Sequence, residues 1–193
     1  MNKVRLALFA SGSGSNVINI LAYFKDHPQV EVVFVLTNNP HALVVPKAQE
    51  IGVRVDVLSN EIVENGAILS TICSAAAIDF VILAGYLRKI PADFIQHYAQ
   101  KIINIHPSLL PNFGGKGMYG DHVHRAVLAQ KEPKTGISIH FVNEEFDKGE
   151  LIAQFSCSVA EEETLESLKV KIHSLEQANF PKIIEQTVLK KEI

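Results

Sequence analysis

Val4-Arg5-Leu6-Ala7-Leu8-Phe9-Ala10 runs directly into Ser11-Gly12-Ser13-Gly14-Ser15-Asn16, and that turn leads into Val17-Ile18-Asn19-Ile20-Leu21-Ala22. The first segment is apolar at almost every position, as a strand covered on both faces must be. The glycines allow a tight turn, and the third segment reads as a helix. A strand, a glycine turn and a helix in immediate succession open an α/β domain.

Further β-rich runs lie at Val30-Thr37, Val53-Leu58, Phe80-Ala84, Ile102-Ile105, Gly136-Val142 and Leu151-Val159. Helix-like stretches separate most of them: Asn16-Lys25, Ala42-Ile51, Glu61-Ala77, Pro91-Tyr98, His122-Gln130 and a long one from Thr164 to about Lys190. This alternation predicts parallel pairing through helical crossovers. The last two strands are joined only by Asn143-Glu150, too short for a crossover, so they should pair antiparallel. The expected fold is α/β: one Rossmann-like open sheet of about seven strands, mostly parallel with an antiparallel C-terminal part and helices on both faces. The 193 residues suffice for one core, and residues 1–193 are read as a single domain.

Composition narrows the function. A net charge of -3, with lysines and arginines scattered, leaves no basic stripe for a nucleic-acid backbone. The two cysteines, Cys73 and Cys157, lie in apolar surroundings without metal-ligand spacing and read as buried free thiols. Met1-Asn2-Lys3 leads straight into an apolar strand too short to span a membrane, with no cleavage site after it, so the expected location is the cytoplasm. The chain's start at the first strand and its end one helix after the last strand predict no further domain.

Three segments carry candidate chemistry. In Ser11–Asn16 the free amides of a helix start and the serine hydroxyls can surround a phosphate, although the third glycine of a dinucleotide fingerprint is missing. The same turn also suits an ordinary βα connection with Ser15 or Asn16 as helix cap. The strand ending in Asn104-Ile105-His106-Pro107 should project Asn104 and His106 from one face, with Ile105 packing on the other. An amide NH2 beside an imidazolium offers two donors to the oxyanion formed when an amine attacks an acyl carbon. Capping of loop backbone is the other use of such a pair.

Asp147, in the turn Asn143-Glu144-Glu145-Phe146-Asp147-Lys148-Gly149, is the third candidate. Beside His106 it would raise the imidazole pKa and hold a proton-relaying water. Gly114–Gly120 holds four glycines in seven residues and reads as a mobile lid. His122 and His124, two apart at a helix start, do not share a face, and His140 reads as a structural histidine within a strand.

Together, Ser-Gly-Ser-Gly-Ser-Asn (11–16), Leu83-Ala84-Gly85-Tyr86-Leu87-Arg88, Asn104-Ile105-His106-Pro107-Ser108-Leu109-Leu110-Pro111 and Phe146-Asp147-Lys148-Gly149 resemble the phosphoribosylglycinamide formyltransferase family over nearly the whole chain. The resemblance implies a catalytic trio of Asn104, His106 and Asp147. It implies that Gly14, Ser15 and Asn16 hold a ribonucleotide phosphate and that Glu176 contacts the same acceptor. Folate would lie against Leu87, Arg88, Lys89 and Ile90, against Asn143, Glu144, Glu145, Phe146 and Asp147, and against Asn104. The implied co-substrate is 10-formyltetrahydrofolate, attacked directly by the amine of glycinamide ribonucleotide, with no metal. Partners would be small-molecule substrates, with no nucleic acid and no membrane, and the chain would be a monomer or homodimer.

Two places depart from the family pattern. Residues 59–65 carry no basic residue where the family places one against folate, and the loop Asn112-Gly120 is longer than usual. Sugar-nucleotide N-formyltransferases and formyltetrahydrofolate deformylases share parts of the pattern. A non-catalytic binding module would have no need of the intact trio.

Overall fold

The computed structural model describes residues 3–190. Seven strands form one sheet: β1 (Val4–Phe9), β2 (Val30–Thr37), β3 (Arg54–Val57), β4 (Phe80–Leu83), β5 (Ile102–His106), β6 (Lys134–Phe141) and β7 (Leu151–Ser158). Their order across the sheet is β3-β2-β1-β4-β5-β6-β7. The first five are parallel to their neighbours, while β6 pairs antiparallel with β5, and β7 with β6. The mixed sheet read from the sequence is thus the sheet observed.

Strand parity divides the core. Leu6 and Leu8 of β1 face one cluster with Ile82, Ile103 and Ile105, covered by α1 (Ser15–Phe24) and α7 (Leu165–Val188). Ala7 and Phe9 face the opposite cluster with Val81, Leu83 and Ile102, which also holds Leu69 and Cys73 of α4 (Gly66–Ala75) and Phe94 of α5 (Ala92–His97). Successive side chains of a strand leave on opposite faces, so a run apolar throughout supplies both clusters.

The helix expected over Glu61–Ala77 is two, α3 (Asn60–Val63) and α4. The break is local: the Asn65 side chain accepts a hydrogen bond from the Ile68 amide and caps α4, satisfying a donor that a continuous helix would have paired. The remaining helices are α2 (Val44–Glu50) and α6 (Asp121–Ala129). Cys157 is half-buried rather than buried, whereas burial pushes the Cys73 thiol up to about 12, with Asp56 adding to the rise. The Leu110-Pro111 bond is cis. No helix among the described residues is long and apolar enough to cross a membrane.

After β1 the chain crosses to β2 on one side, and β4 pairs β1 on the other, so the order in which strands are added reverses between the parallel neighbours β1 and β4. In open α/β sheets the crevice outside the carboxyl ends of the strands at such a point receives ligands. The loops leaving β1, β4 and β5 all open there.

Candidate active site

A cleft of ≈ 910 Å³ lies at this crevice. The ribonucleotide set (Gly14, Ser15, Asn16, Glu176), the folate set (Leu87 to Ile90 and Asn143 to Asp147) and the trio (Asn104, His106, Asp147) all line it. Residues from three separate loops, strand β5 and helices α1 and α7 therefore meet in one volume.

At one end, Gly14 has φ 73 and precedes α1. A Cβ there would stand 2.6 Å from Val44 Cγ2 and 2.9 Å from Val44 Cα, so α2 packs on the turn too closely for a side chain. The expected cap by Ser15 or Asn16 is not what forms. Gly14 is the cap residue, without any side-chain bond, and Ser15 is already helical. Capping by backbone alone leaves the first amides of α1 facing the cleft for an anion.

Asn16 is occupied differently from the expectation. Its Nδ2 donates to Glu176 Oε2 at 3.0 Å, and its Oδ1 accepts from Gln177 Nε2 at 3.0 Å. The side chain locks α1 to α7 and orients Glu176, whose carboxyl pKa is raised by burial against the opposing effects of Asn16 and His173. Asn16→Ala should cost about 1–3 kcal/mol in denaturant unfolding, because both partly buried partners lose their bonds. An unchanged unfolding midpoint would mean that this link contributes nothing. Ser11 is similarly spent: its hydroxyl donates to Asn38 Oδ1 and accepts from the Leu87 amide, both at 3.1 Å, tying together the loops after β1, β2 and β4.

At the centre, antiparallel register places Asn104 opposite His140 and His106 opposite Ser138. Cross-strand partners share a face. Asn104 Nδ2 lies 3.1 Å from His140 Nε2, and His140 Nδ1 lies 2.8 Å from the Phe141 carbonyl oxygen. A carbonyl only accepts, so Nδ1 of His140 carries the hydrogen and Nε2 receives the Asn104 amide. His140 is therefore not merely packed in the strand. It fixes the Asn104 side chain and leaves one N–H of that amide for a ligand. Its place opposite Asn104 was the available signal.

Ser138 anchors the segment after His106. It donates to the Ser108 carbonyl at 2.6 Å and accepts from the Leu110 amide at 2.9 Å and from Gln154 Nε2 at 2.8 Å.

Asp147 reaches the centre from the β6–β7 turn with φ 56, in the left-handed region. Its Oδ2 is 3.5 Å from His106 Nδ1, its Oδ1 is 3.7 Å from His140 Nε2, and the Gly115 amide donates to Oδ2 at 2.9 Å. Burial would raise its carboxyl pKa, but His140, the charge of His106 and the Gly115 amide outweigh burial and hold it below the usual carboxylate range.

His106 corrects one expectation. Asp147 does favour the imidazolium, yet burial has the larger effect and the His106 pKa ends below its ordinary value. Desolvation of a side chain only 4% exposed explains the sign. Burial therefore favours the neutral imidazole in the free protein, against the opposing influence of the Asp147 carboxylate. The glycine loop is likewise more engaged than a free lid, with Gly115 bound to Asp147 and the Phe113 carbonyl bound to His106.

Elsewhere on the cleft wall, Leu87 and Phe146 are exposed apolar side chains, and Lys89 Nζ stands 5.8 Å from the Phe146 ring centroid. Glu64, from the stretch lacking a basic residue, pairs with Arg88. His124, whose spacing from His122 argues against a shared metal site, lies at the cleft. It is buried on α6 at the cleft wall, and its Nδ1 has no hydrogen-bond partner among the described residues. His122, two residues earlier, is exposed, as the spacing predicts.

The formyl transferase family model matches residues 4–184 of the chain. The chain belongs to the formyl transferase family, on its phosphoribosylglycinamide formyltransferase branch. It is 33% identical over 187 residues to the phosphoribosylglycinamide formyltransferase of Bacillus subtilis, covering 94% of this chain and 93% of that protein. With the chloroplastic phosphoribosylglycinamide formyltransferase of Arabidopsis thaliana it shares 37% over 186 residues, 93% of this chain. The chain spans 64% of that plant relative's length and 61% of that of the Vigna unguiculata relative. The crystal structure of phosphoribosylglycinamide formyltransferase from Bacillus halodurans superposes with a TM-score of 0.86 at 34% identity, covering 96% of each chain. That from Anaplasma phagocytophilum gives 0.89 at 30%, covering 98% of this chain and 88% of that one.

Proposed function

We propose that the chain transfers the formyl group of 10-formyltetrahydrofolate to the amine of glycinamide ribonucleotide, giving formylglycinamide ribonucleotide and tetrahydrofolate in purine synthesis. The observation that carries this reading is that one cleft joins Asn104, His106 and Asp147 to two further parts, the start of α1 and the exposed apolar side chains of Leu87 and Phe146. An acceptor with a phosphate at one end and an amine at the other fits the first part. A flat heteroaromatic donor fits the second, where apolar contact and backbone polar groups combine.

In this reading the amine nitrogen attacks the formyl carbon. The free N–H of Asn104 and the imidazole of His106 stabilise the oxyanion. Asp147 stabilises the imidazolium that forms as His106 takes up, through a water held at Asp147, the proton lost by the amine. As the tetrahedral intermediate collapses, the bond to folate N10 breaks and the proton lost by the amine ends on that nitrogen, relayed through a water held at Asp147. The phosphate is held by the backbone amides of Ser15 and Asn16 and by the Ser15 hydroxyl, while Glu176 accepts from ribose hydroxyls.

A spectrophotometric assay with a 10-formylfolate donor tests the proposal. Consumption that requires glycinamide ribonucleotide supports it. Consumption without acceptor would make the chain a deformylase, and no consumption in either case would overturn the assignment. Ser15→Ala should raise the acceptor KM about 3- to 10-fold with kcat nearly unchanged, since one neutral hydrogen bond to a charged group is lost in ground and transition state alike. An unchanged KM would remove Ser15 from the phosphate site.

A further inference from the structure

His106 Nε2 lies 2.9 Å from the carbonyl oxygen of Phe113. Phe113 does not line the catalytic cleft. It lines a separate cavity of ≈ 160 Å³ with Leu109, Asn112 and Pro133, and its ring packs against the main hydrophobic cluster. The carbonyl thus engages one ring nitrogen of His106 while the other, Nδ1, faces Asp147. A carbonyl only accepts, so it places the hydrogen of neutral His106 on Nε2 and leaves Nδ1 as the nitrogen that gains and loses a proton.

The backbone is built to hold this carbonyl. Phe113 has φ 56, a conformation that costs a non-glycine residue about 1–2 kcal/mol and persists only where the surroundings impose it. Those surroundings are visible. Ser108 Oγ donates to the Asn112 carbonyl at 2.7 Å, Gln154 Nε2 donates to the Leu110 carbonyl at 2.9 Å, and the Asn112 amide donates to Leu109 at 3.2 Å. On the other side a Cβ on Gly114 would stand 2.5 Å from Leu110 Cδ2 and 3.2 Å from Asp147 Cβ, so the chain presses against the site there. Two residues beyond Phe113 the Gly115 amide binds Asp147. One short segment thus supplies an acceptor to His106 and a donor to Asp147.

We infer that Phe113 is a positioning residue for the transfer reaction: its left-handed backbone aims the carbonyl that fixes His106 as the Nε2–H tautomer and makes Nδ1 the working nitrogen. The inference rests on the reaction proposed above only for its kinetic consequence. The tautomer itself is independent of substrate.

The deciding measurement is ¹⁵N NMR of the histidine rings in the whole protein, assigned with His106→Ala, together with kinetics of two variants. Wild-type His106 in its neutral form should carry its hydrogen on Nε2. Phe113→Ile, whose β-branched side chain resists positive φ, should give mixed tautomers and lower kcat on the order of tenfold, with both KM values within about twofold. Phe113→Asn also removes the ring but tolerates the left-handed region, and should recover the single tautomer and most of the kcat. A neutral wild-type ring with its hydrogen on Nδ1 would overturn the inference, whether or not Phe113→Ile folds. So would Phe113→Ile with an unchanged tautomer and kcat. If the wild type shows the Nε2–H form but transfers no formyl group, the reaction assignment falls and the tautomer assignment stands.

Discussion

Asp147→Asn should lower kcat on the order of 10²- to 10⁴-fold while leaving the fold and both substrate affinities nearly intact. The substitution is isosteric, and an amide oxygen can still accept the Gly115 amide that now binds Oδ2 at 2.9 Å. What disappears is the negative charge 3.5 Å from His106 Nδ1. Burial already holds the His106 pKa low, and the Asp147 charge is the main opposing influence. Without it the His106 pKa falls further, so at any given pH less imidazolium forms as the oxyanion develops. NMR titration of His106 would show the added downward shift, and equal kcat in the variant would remove Asp147 from the mechanism.

The same two groups set an acid sensitivity with a definite sign. A histidine with a lowered folded pKa costs nothing above its unfolded value of about 6.5 and destabilises the fold as pH falls below it. A carboxylate with a depressed folded pKa stabilises above its unfolded value, and that contribution is lost as pH falls through the folded one. Both effects lower wild-type stability from neutral toward acid. Asp147→Asn should enlarge the histidine part and abolish the carboxylate part, a difference that thermal melts at two pH values would resolve.

Gly149→Ala is the second large effect. A Cβ on Gly149 would sit 1.7 Å from the Phe141 carbonyl oxygen and 2.7 Å from its carbon, both backbone atoms with no rotamer to yield. That carbonyl also accepts from His140 Nδ1, and the Phe141 amide donates to Glu150 at 2.8 Å, so the hairpin cannot open locally without disturbing His140. Overpacking against backbone should cost about 3 kcal/mol, a fall in Tm of roughly 6–12 °C for a chain of this size. Since Asp147 lies two residues away on the same turn, a shift on the order of 1 Å there would lower kcat about 100-fold in the protein that remains folded. Wild-type Tm and kcat would show that the turn absorbs the methyl group elsewhere.

The sequence exposed the sheet because its strands are buried on both faces or bounded by unmistakable turns. Val30–Thr37 was read to the residue, and the short Asn143–Glu150 connection forced antiparallel pairing. It exposed Asn104, His106 and Asp147 because they belong to one recognisable set of motifs. It hid the break before α4, since Asn65 sits within an otherwise helical stretch and only its side-chain bond to Ile68 reveals the cap. The role of His140 is hidden for a related reason: a strand histidine reads alike whether it faces a site or a core.

Determined by sequence alone were the strand order of chemistry along the chain, the parity that sends Asn104 and His106 to one face, and the glycine at position 14 that permits a helix start open to an anion. Tertiary structure alone decided what each polar group has left to offer. Asn16 and Ser11 are committed to protein partners, Asn104 keeps one N–H because His140 holds the other, and the His106 pKa lies below its ordinary value because burial outweighs the charge of Asp147. Hydrogen bonds and desolvation depend on which atoms converge in space, and the residues that converge on Asn16 come from a segment as much as 161 positions away.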